Sequence, residues 1–173
     1  MSLFVDSQRV RFHKAIWADI PAMQELDARL FPPHSSYDME TFRNLMLDAT
    51  VTMIVAQAGR EMAGFMILRL GPGREASALT IDVAPSFQGH GVGSRLMALA
   101  ERMARYQEIA VMYLQVSTNN SGAIRFYERL GYCRIRFMKG YYGGEEDGWE
   151  MEKKLIGHSG ATTAGKDQPS LAP

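Results

Sequence analysis

The sequence predicts an α/β fold, in which a single domain is built on a mixed β-sheet with helices on its faces. The length of 173 residues suits one ordinary domain with one core. Hydrophobic residues make up 46% and charged residues 22%, the balance of a globular chain rather than a disordered or fibrous one. Apolar residues alternate in some segments and recur at helical spacing in others, which gives the order β-α-α-β-β-β-α-β-α-β-β.

The first half of the chain predicts an N-terminal strand, two helices and a hairpin. Val10 and Phe12 alternate with polar neighbours, as in a strand. The first helix begins after Asp19 as N-cap, with Pro21 just inside, and the prolines after Phe31 end it. The elements expected here are strand 9–15, helix 20–31, helix 38–47 and strands 51–56 and 62–70, which a turn over 57–61 joins.

The second half predicts strands that alternate with helices and then a polar tail. One strand stops at Pro85, and the last helix is ended by Gly131. The segment from Gly157 onward has almost no large apolar residue, so we expect a disordered tail over 157–173 beyond a domain of residues 1–156. The elements expected are strand 78–84, helix 91–106, strand 109–116, helix 121–130 and strands 132–138 and 149–155.

Charge and cysteine content narrow the class of protein. Lys plus Arg equals Asp plus Glu at 19 each, so no overall charge favours nucleic acid or an anionic membrane. The single cysteine, Cys133, excludes an internal disulfide and suits a reducing compartment. The chain lacks a signal-peptide pattern and any run of roughly 18 apolar residues. We expect a cytoplasmic protein without a metal site and without a nucleic-acid or membrane partner.

A glycine-rich loop lies between a predicted strand and a predicted helix. Glycines there allow positive φ and a close approach of an anion to free N–H groups at the helix start. Alternatively, they form only a tight turn. A P-loop needs a lysine where Ser94 and Arg95 stand, and a Rossmann loop needs its third glycine one place later. The loop consists of Gln88, Gly89, His90, Gly91, Val92, Gly93 and Ser94.

Two sequence blocks together resemble the GNAT superfamily of acetyltransferases over roughly residues 9–156. Gln88, Gly91 and Gly93 match its [Gln/Arg]-x-x-Gly-x-[Gly/Ala] signature, and the segment 120–132 matches its Asn-x-x-Ala-x-x-x-Tyr-x-x-x-Gly-[Phe/Tyr] block. The resemblance implies direct transfer of an acetyl group from acetyl-CoA to a primary amine in a ternary complex. It also implies that the backbone of Ile81 and Val83 binds the pantetheine arm, residues 88–94 hold the pyrophosphate, Asn120 contacts the arm and Tyr127 is the general acid.

Structural roles remain open for several of these residues. Asn120 also suits a plain helix N-cap, while Ile81, Val83 and Tyr127 also suit core positions. Gln115 stands where RimI-type members of the superfamily carry a glutamate, and glutamine cannot accept a proton. The general base is therefore unassigned, with Asp82 and Glu150 as candidates, alongside water oriented by Gln115.

The acceptor amine is predicted from the free energy of deprotonating it and from two aromatic segments. A peptide α-amine has a pKa near 8 and lysine one near 10.4, so deprotonating lysine costs roughly 3 kcal/mol more at neutral pH. A site without the usual carboxylate therefore favours an α-amine. The segments 30–37 and 139–151 resemble the peptide-binding loop and the C-terminal block of RimI-type enzymes. The predicted substrate-binding residues are Phe31, Pro32, Tyr37, Tyr141 and Tyr142.

Other acceptors and roles are alternatives. The aromatic residues Phe31 and Tyr141 suit plugs at the sheet's end equally well, and His34 suits a solvated loop position. A polyamine, aminoglycoside or amino acid would favour an acidic cleft, which the run 145–147 could supply, although such a run is commonly a solvated turn. A non-catalytic acyl-CoA-binding module is a third interpretation.

Overall fold

A computed structural model describes residues 10–33 and 35–155. It gives the predicted order of elements, in which a seven-stranded mixed sheet carries four α-helices. The strands are β1 Val10–Lys14, β2 Val51–Ala58, β3 Glu61–Leu70, β4 Glu75–Val83, β5 Val111–Ser117, β6 Cys133–Tyr142 and β7 Glu146–Lys154, and the helices are α1 Ile20–Leu30, α2 Met39–Leu47, α3 Val92–Tyr106 and α4 Ser121–Arg129. Short 3-10 turns span Trp17–Asp19 and Pro85–Phe87. The predicted tail 157–173, Arg9 and His34 lie outside the described residues.

The sheet opens in its middle. Its strand order is β1-β2-β3-β4-β5-β7-β6, and all neighbours are antiparallel except β4 and β5. The parallel pairing runs only from Glu75↔Val111 to Ala78↔Leu114. Beyond it, β4 continues to Val83 and β5 to Ser117 without pairing to each other. The two strands therefore separate, and a gap with unpaired strand edges opens between them.

Three strand ends differ from the prediction by at least three residues. β4 begins at Glu75 rather than 78, because the Gly71 N–H donates to the Glu75 carbonyl at 2.9 Å and closes a tight turn. β6 and β7 extend towards each other until Tyr142 pairs with Glu146, where a long loop was predicted. The Asp147 carboxylate accepts the Gly140 N–H at 2.7 Å, which holds this ribbon together.

The helices pack on both faces of the sheet. Successive residues of a strand point to opposite faces. The Val83 side chain faces α3, since a Cβ on Gly93 would lie 3.5 Å from Val83 Cγ2. The preceding Asp82 faces α1, where it meets Asp27. Hence α1 lies on one face and α3 on the other, with α2 packed on α1 and with α4 beside α3, where Phe126 meets Gly93.

The core fills both layers between helices and sheet. Large apolar side chains that are at most 2% exposed come from both helix layers and from the strands between them. Burying each contributes about 1.5–3 kcal/mol, so this packing stabilises the sheet on both sides of the gap. They include Met23, Leu26, Phe42, Phe65, Met66, Leu96, Met97, Met112 and Leu114. Among the described residues, no helix is both long and apolar enough to span a membrane.

Candidate active site

A cavity of about 470 Å³ lies where β4 and β5 separate. Its wall combines both open strand edges with the start of α4, the end of α1 and the segment after it, and the β6–β7 ribbon. It therefore connects the strand gap with the loops at one end of the sheet. The lining residues are Asp27, Leu30, Phe31, Pro32, Ser35, Tyr37, Ala78, Leu79, Thr80, Ile81, Gln115, Val116, Ser117, Asn119, Asn120, Ala123, Tyr127, Tyr142 and Glu146.

The start of α3 presents free N–H groups at the end of β4. The N-cap is Gly91, at φ 80°, and because it is a glycine it supplies no capping side chain. The N–H groups of Val92, Gly93 and Ser94 have no acceptor among the described residues. No heavy atom lies within 4 Å of a Cβ placed on Gly91, so the surface before these donors is open. An anionic group such as a pyrophosphate fits there, because free N–H groups and the helix dipole both attract it.

Three loop residues have structural contacts besides their predicted cofactor role. Gln88 Nε2 donates to the Val83 carbonyl at 3.0 Å, which ties the loop to β4. His90 Nδ1 lies 2.9 Å from the Gln88 carbonyl. A Cβ on Gly93 would lie 3.3 Å from Phe126 Cζ, so this glycine lets α3 approach α4 closely. Gly89, at φ 76°, allows the chain to turn between Gln88 and His90.

The predicted arm-binding residues lie on both edges of the gap. Ile81 lines the cavity and Val83 lies further along β4, beside the start of α3. Asn120 lines the cavity from the other edge, and its Oδ1 accepts the Ala123 N–H at 3.0 Å. Asn120 is thus the helix N-cap that was considered as an alternative, and its side chain also borders the cavity.

Tyr127 lines the cavity from α4 and is 8% exposed. Its ring centroid lies 5.2 Å from that of Phe126 and 6.1 Å from that of Tyr132, so packing fixes its orientation. Burial, followed by the charges of Tyr142 and Asp82, raises the pKa of Tyr127 well above its usual value. The hydroxyl therefore keeps its proton at neutral pH and can donate it to a departing thiolate.

The predicted acceptor residues divide into two groups. Phe31, Pro32, Tyr37 and Tyr142 line the cavity. Tyr141 is outside its wall and 49% exposed, with its ring edge-on to Tyr142 at a centroid distance of 4.9 Å. The reason is that both tyrosines belong to β6 rather than to a loop, so neighbouring side chains point to opposite faces.

The three groups considered for the base have different surroundings. Gln115 lines the cavity, and its Nε2 lies 3.4 Å from Glu150 Oε1. Glu150 is outside the cavity wall and accepts two hydrogen bonds from Arg136, at 3.0 and 3.2 Å. Asp82 is fully buried and accepts the Thr80 hydroxyl at 2.7 Å. Burial raises the pKa of Asp82 to about 8.

Two acidic residues of the cavity wall were not predicted as site residues. Asp27 is 1% exposed, and its Oδ2 accepts the Tyr37 N–H at 2.7 Å. The burial of Asp27 could have been predicted from the sequence. Asp27 lies four residues from both Met23 and Phe31, which places it on the apolar face of the predicted helix. For Glu146 the sequence left an acidic cleft and a solvated turn open; the residue lines the cavity, where the hydroxyl of Ser117 and the amide of Asn119 donate to its carboxylate.

Comparison with known proteins agrees with this geometry. The profile of the family described as the acetyltransferase (GNAT) family matches residues 20–132. The N-alpha-acetyltransferase RimI of Mycobacterium tuberculosis is 29% identical over 140 residues, covering 79% of this chain and 87% of that one. The ribosomal-protein-S18-alanine N-acetyltransferase structure from Escherichia coli has a TM-score of 0.75 at 23% identity, covering 93% of this chain and 99% of that one. Arabidopsis thaliana NAA60, solved with acetyl-CoA, has a TM-score of 0.76 at 19% identity, covering 86% and 99%.

The matched segment runs from the start of α1 past the end of α4, so it contains the strand gap and the open helix start. The resemblance stated from the glycine loop and the second block is therefore confirmed. The chain belongs to the GNAT family of acetyltransferases, is an acyltransferase, and is similar to the RimI-type N-α-acetyltransferases within it.

Proposed function

We propose that this protein transfers an acetyl group from acetyl-CoA to the α-amine of a protein or peptide N-terminus. The observation that carries the proposal is the cavity in the β4–β5 gap. One end of the cavity lies at the start of α4, which is beside α3. The other end is lined by aromatic residues from the segment after α1 and from β6. A donor and an acceptor can meet there in a ternary complex without a covalent enzyme intermediate.

Acetyl-CoA is the acetyl donor, and it supplies the acetyl group as a thioester. The free N–H groups of residues 92–94 bind the pyrophosphate. The unpaired edge of β4 at Ile81 and Val83 binds the pantetheine arm in the way a further strand would, and backbone N–H groups there polarise the thioester carbonyl. Asn120 borders the arm from the opposite edge of the gap.

The acceptor binds between the segment after α1 and the β6–β7 ribbon. Phe31, Pro32, Tyr37 and Tyr142 form a mainly aromatic wall that suits the flat backbone and first side chain of a peptide. The curated relative from Mycobacterium tuberculosis is named as an N-alpha-acetyltransferase, which favours the same acceptor class here. An α-amine also costs less to deprotonate than a lysine side chain.

Tyr127 acts as the general acid. Its hydroxyl holds a proton at neutral pH and borders the gap in which the thioester would lie. When the amine nitrogen bonds to the acetyl carbon and the C–S bond breaks, the phenol donates its proton to the thiolate.

The test is a comparison of three amines at equal concentration with purified protein and acetyl-CoA. The first amine is a lysine-free peptide with a free N-terminus. The second is a matched peptide that has a blocked N-terminus and one internal lysine, and the third is spermidine. Release of free thiol gives the rate, and mass spectrometry gives the acetylated position. We expect the free N-terminus to react fastest. Faster reaction of lysine or spermidine would refute the proposed acceptor, and no turnover of any amine despite acetyl-CoA binding would indicate a binding module.

A further inference from the structure

Two buried carboxyl groups meet beside the acceptor part of the cavity. Asp27 comes from α1 and Asp82 from β4, and they are 1% and 0% exposed. Their side chains lie within hydrogen-bonding reach of each other. Asp27 also belongs to the cavity wall, whereas Asp82 lies behind it.

The hydrogen bonds around the pair indicate where one proton lies. Two carboxylates in contact and away from water cannot both be ionised, so the pair holds a proton. Asp27 Oδ2 accepts the Tyr37 N–H at 2.7 Å, which favours the ionised form of Asp27. Asp82 Oδ1 accepts the Thr80 hydroxyl, while its buried Oδ2 has no partner among the described residues. A proton on Asp82 Oδ2 turns that orphaned atom into a donor to Asp27.

We propose that Asp27 is the carboxylate that binds the substrate's α-ammonium group and takes its proton, and that Asp82 is a positioning residue that donates a hydrogen bond to Asp27. This rests on the proposed function. Asp27 then acts as the general base, a role that Gln115 cannot fill, because a side-chain amide accepts no proton. It also connects substrate binding to the segment after α1, since the same Asp27 carboxylate holds the backbone of Tyr37.

The proton and bond changes balance. The ammonium group gives one proton to Asp27, and the neutral nitrogen bonds to the acetyl carbon. The C–S bond breaks as this bond forms, the thiolate takes the Tyr127 proton, and the second amine proton returns to Tyr127. The products are an N-acetyl peptide, coenzyme A as a thiol, and one proton that Asp27 releases to solvent.

Other ionisable groups that face the pair do not titrate in the same range. The phenols of Tyr37 and Tyr127 face it, and burial raises the pKa of both above their usual value. The positive charge of Arg69 on β3 partly opposes the rise in the pKa of Tyr37, and Arg69 Nη2 lies 3.7 Å from Asp48 Oδ2. Changes in rate between pH 5 and pH 8 therefore report on the pair and on the substrate amine.

The test measures kcat/KM for the free N-terminal peptide from pH 5.5 to 9 in four variants: Asp27→Asn, Asp82→Asn, Asp82→Ala and the control Glu145→Gln, which removes an exposed carboxylate. Asp27→Asn should lose at least about 100-fold below pH 7, the size of a general-base contribution, and less towards pH 9, where an α-amine of pKa about 8 is already largely neutral. Asp82→Ala should shift the acidic limb to higher pH by about one unit or more, because Asp27 loses its donor. Asp82→Asn should recover most of that shift, because its amide N–H can donate to Asp27.

The outcomes separate this proposal from the proposed function. If the wild type acetylates the peptide but Asp27→Asn keeps its rate and pH profile, the Asp27 role is wrong. Equal profiles for Asp82→Asn and Asp82→Ala would overturn the positioning role, and they decide the matter even if Asp27→Asn fails to fold. If instead the wild type prefers spermidine, the acceptor assignment fails, and the same variants measured on spermidine then show whether Asp27 serves that amine. Binding of acetyl-CoA should be similar in all four variants.

Discussion

Replacing Asp82 by asparagine should change how the stability of the protein depends on pH. The side chain keeps its shape and its contact with Thr80, but it can no longer gain or lose a proton. In the unfolded chain, the Asp82 carboxyl has its ordinary pKa of 3.8, whereas burial raises it to about 8 in the fold. Between these values the folded protein holds a proton that the unfolded chain has lost. The free energy of unfolding of the wild type therefore falls as pH rises through this window.

The size of the effect follows from the width of the window. Each pH unit inside it changes the free energy of unfolding by about 1.4 kcal/mol. From pH 5 to pH 8 the wild type should therefore lose about 4 kcal/mol that Asp82→Asn keeps. In a domain of this length, that difference corresponds to a relative gain in Tm on the order of 10 °C for the variant.

Urea denaturation of both proteins at pH 5, 6, 7 and 8 measures this difference directly. All titrating groups outside the Asp27–Asp82 pair are shared, so subtracting the two curves isolates the proton that the pair holds. Glu145→Gln serves as the matched control, because it removes an exposed carboxylate and should leave the pH dependence of the wild type unchanged. Parallel curves for the wild type and Asp82→Asn would contradict a protonated, buried Asp82.

Three further predictions concern the donor side and the base. Tyr127→Phe should lower kcat about 100-fold or more with little change in KM for acetyl-CoA, because the ring keeps its packing and only the proton donor is lost; a steady-state assay that finds kcat unchanged would exclude the general acid. Gly91→Ala and Gly59→Ala should each cost about 1–2 kcal/mol in thermal denaturation, since both glycines have positive φ, but only Gly91→Ala should raise KM for acetyl-CoA; a rise in both would point to general destabilisation. Glu150→Gln should keep kcat within about threefold, because two hydrogen bonds from Arg136 hold that carboxylate outside the cavity, and a loss near 100-fold in the same assay would identify Glu150 as the base.

Most of the fold could be predicted from local pattern. Apolar alternation and helical spacing act over a few residues, so the order and type of all eleven elements were correct. The ends of β4, β6 and β7 were wrong because pairing between strands set them. The acidic run 145–147 predicted either an acidic cleft or a solvated turn, but neither indicated that Glu146 pairs with Tyr142 or that the Asp147 carboxylate accepts the Gly140 N–H.

The donor part of the site was also accessible to sequence reasoning. The glycine loop is a contiguous segment whose backbone geometry depends on its own residues, so Gly91 could be placed at a helix start. The acceptor part was less accessible. Tyr37 lines the cavity, whereas Tyr141 lies outside its wall, because the unexpected length of β6 points the Tyr141 side chain away from that of Tyr142.

The sequence by itself determined the fold class, the family resemblance and the position of the glycine-rich loop at a helix start, because each depends on periodicity or on a contiguous motif. The tertiary structure alone decided that Asp27 and Asp82 share one buried site. Asp27 lies on α1 and Asp82 on β4, and nothing in either segment specifies how that helix packs across that strand. Their contact follows from the packing of the α1 face against the sheet, which depends on side chains throughout the core.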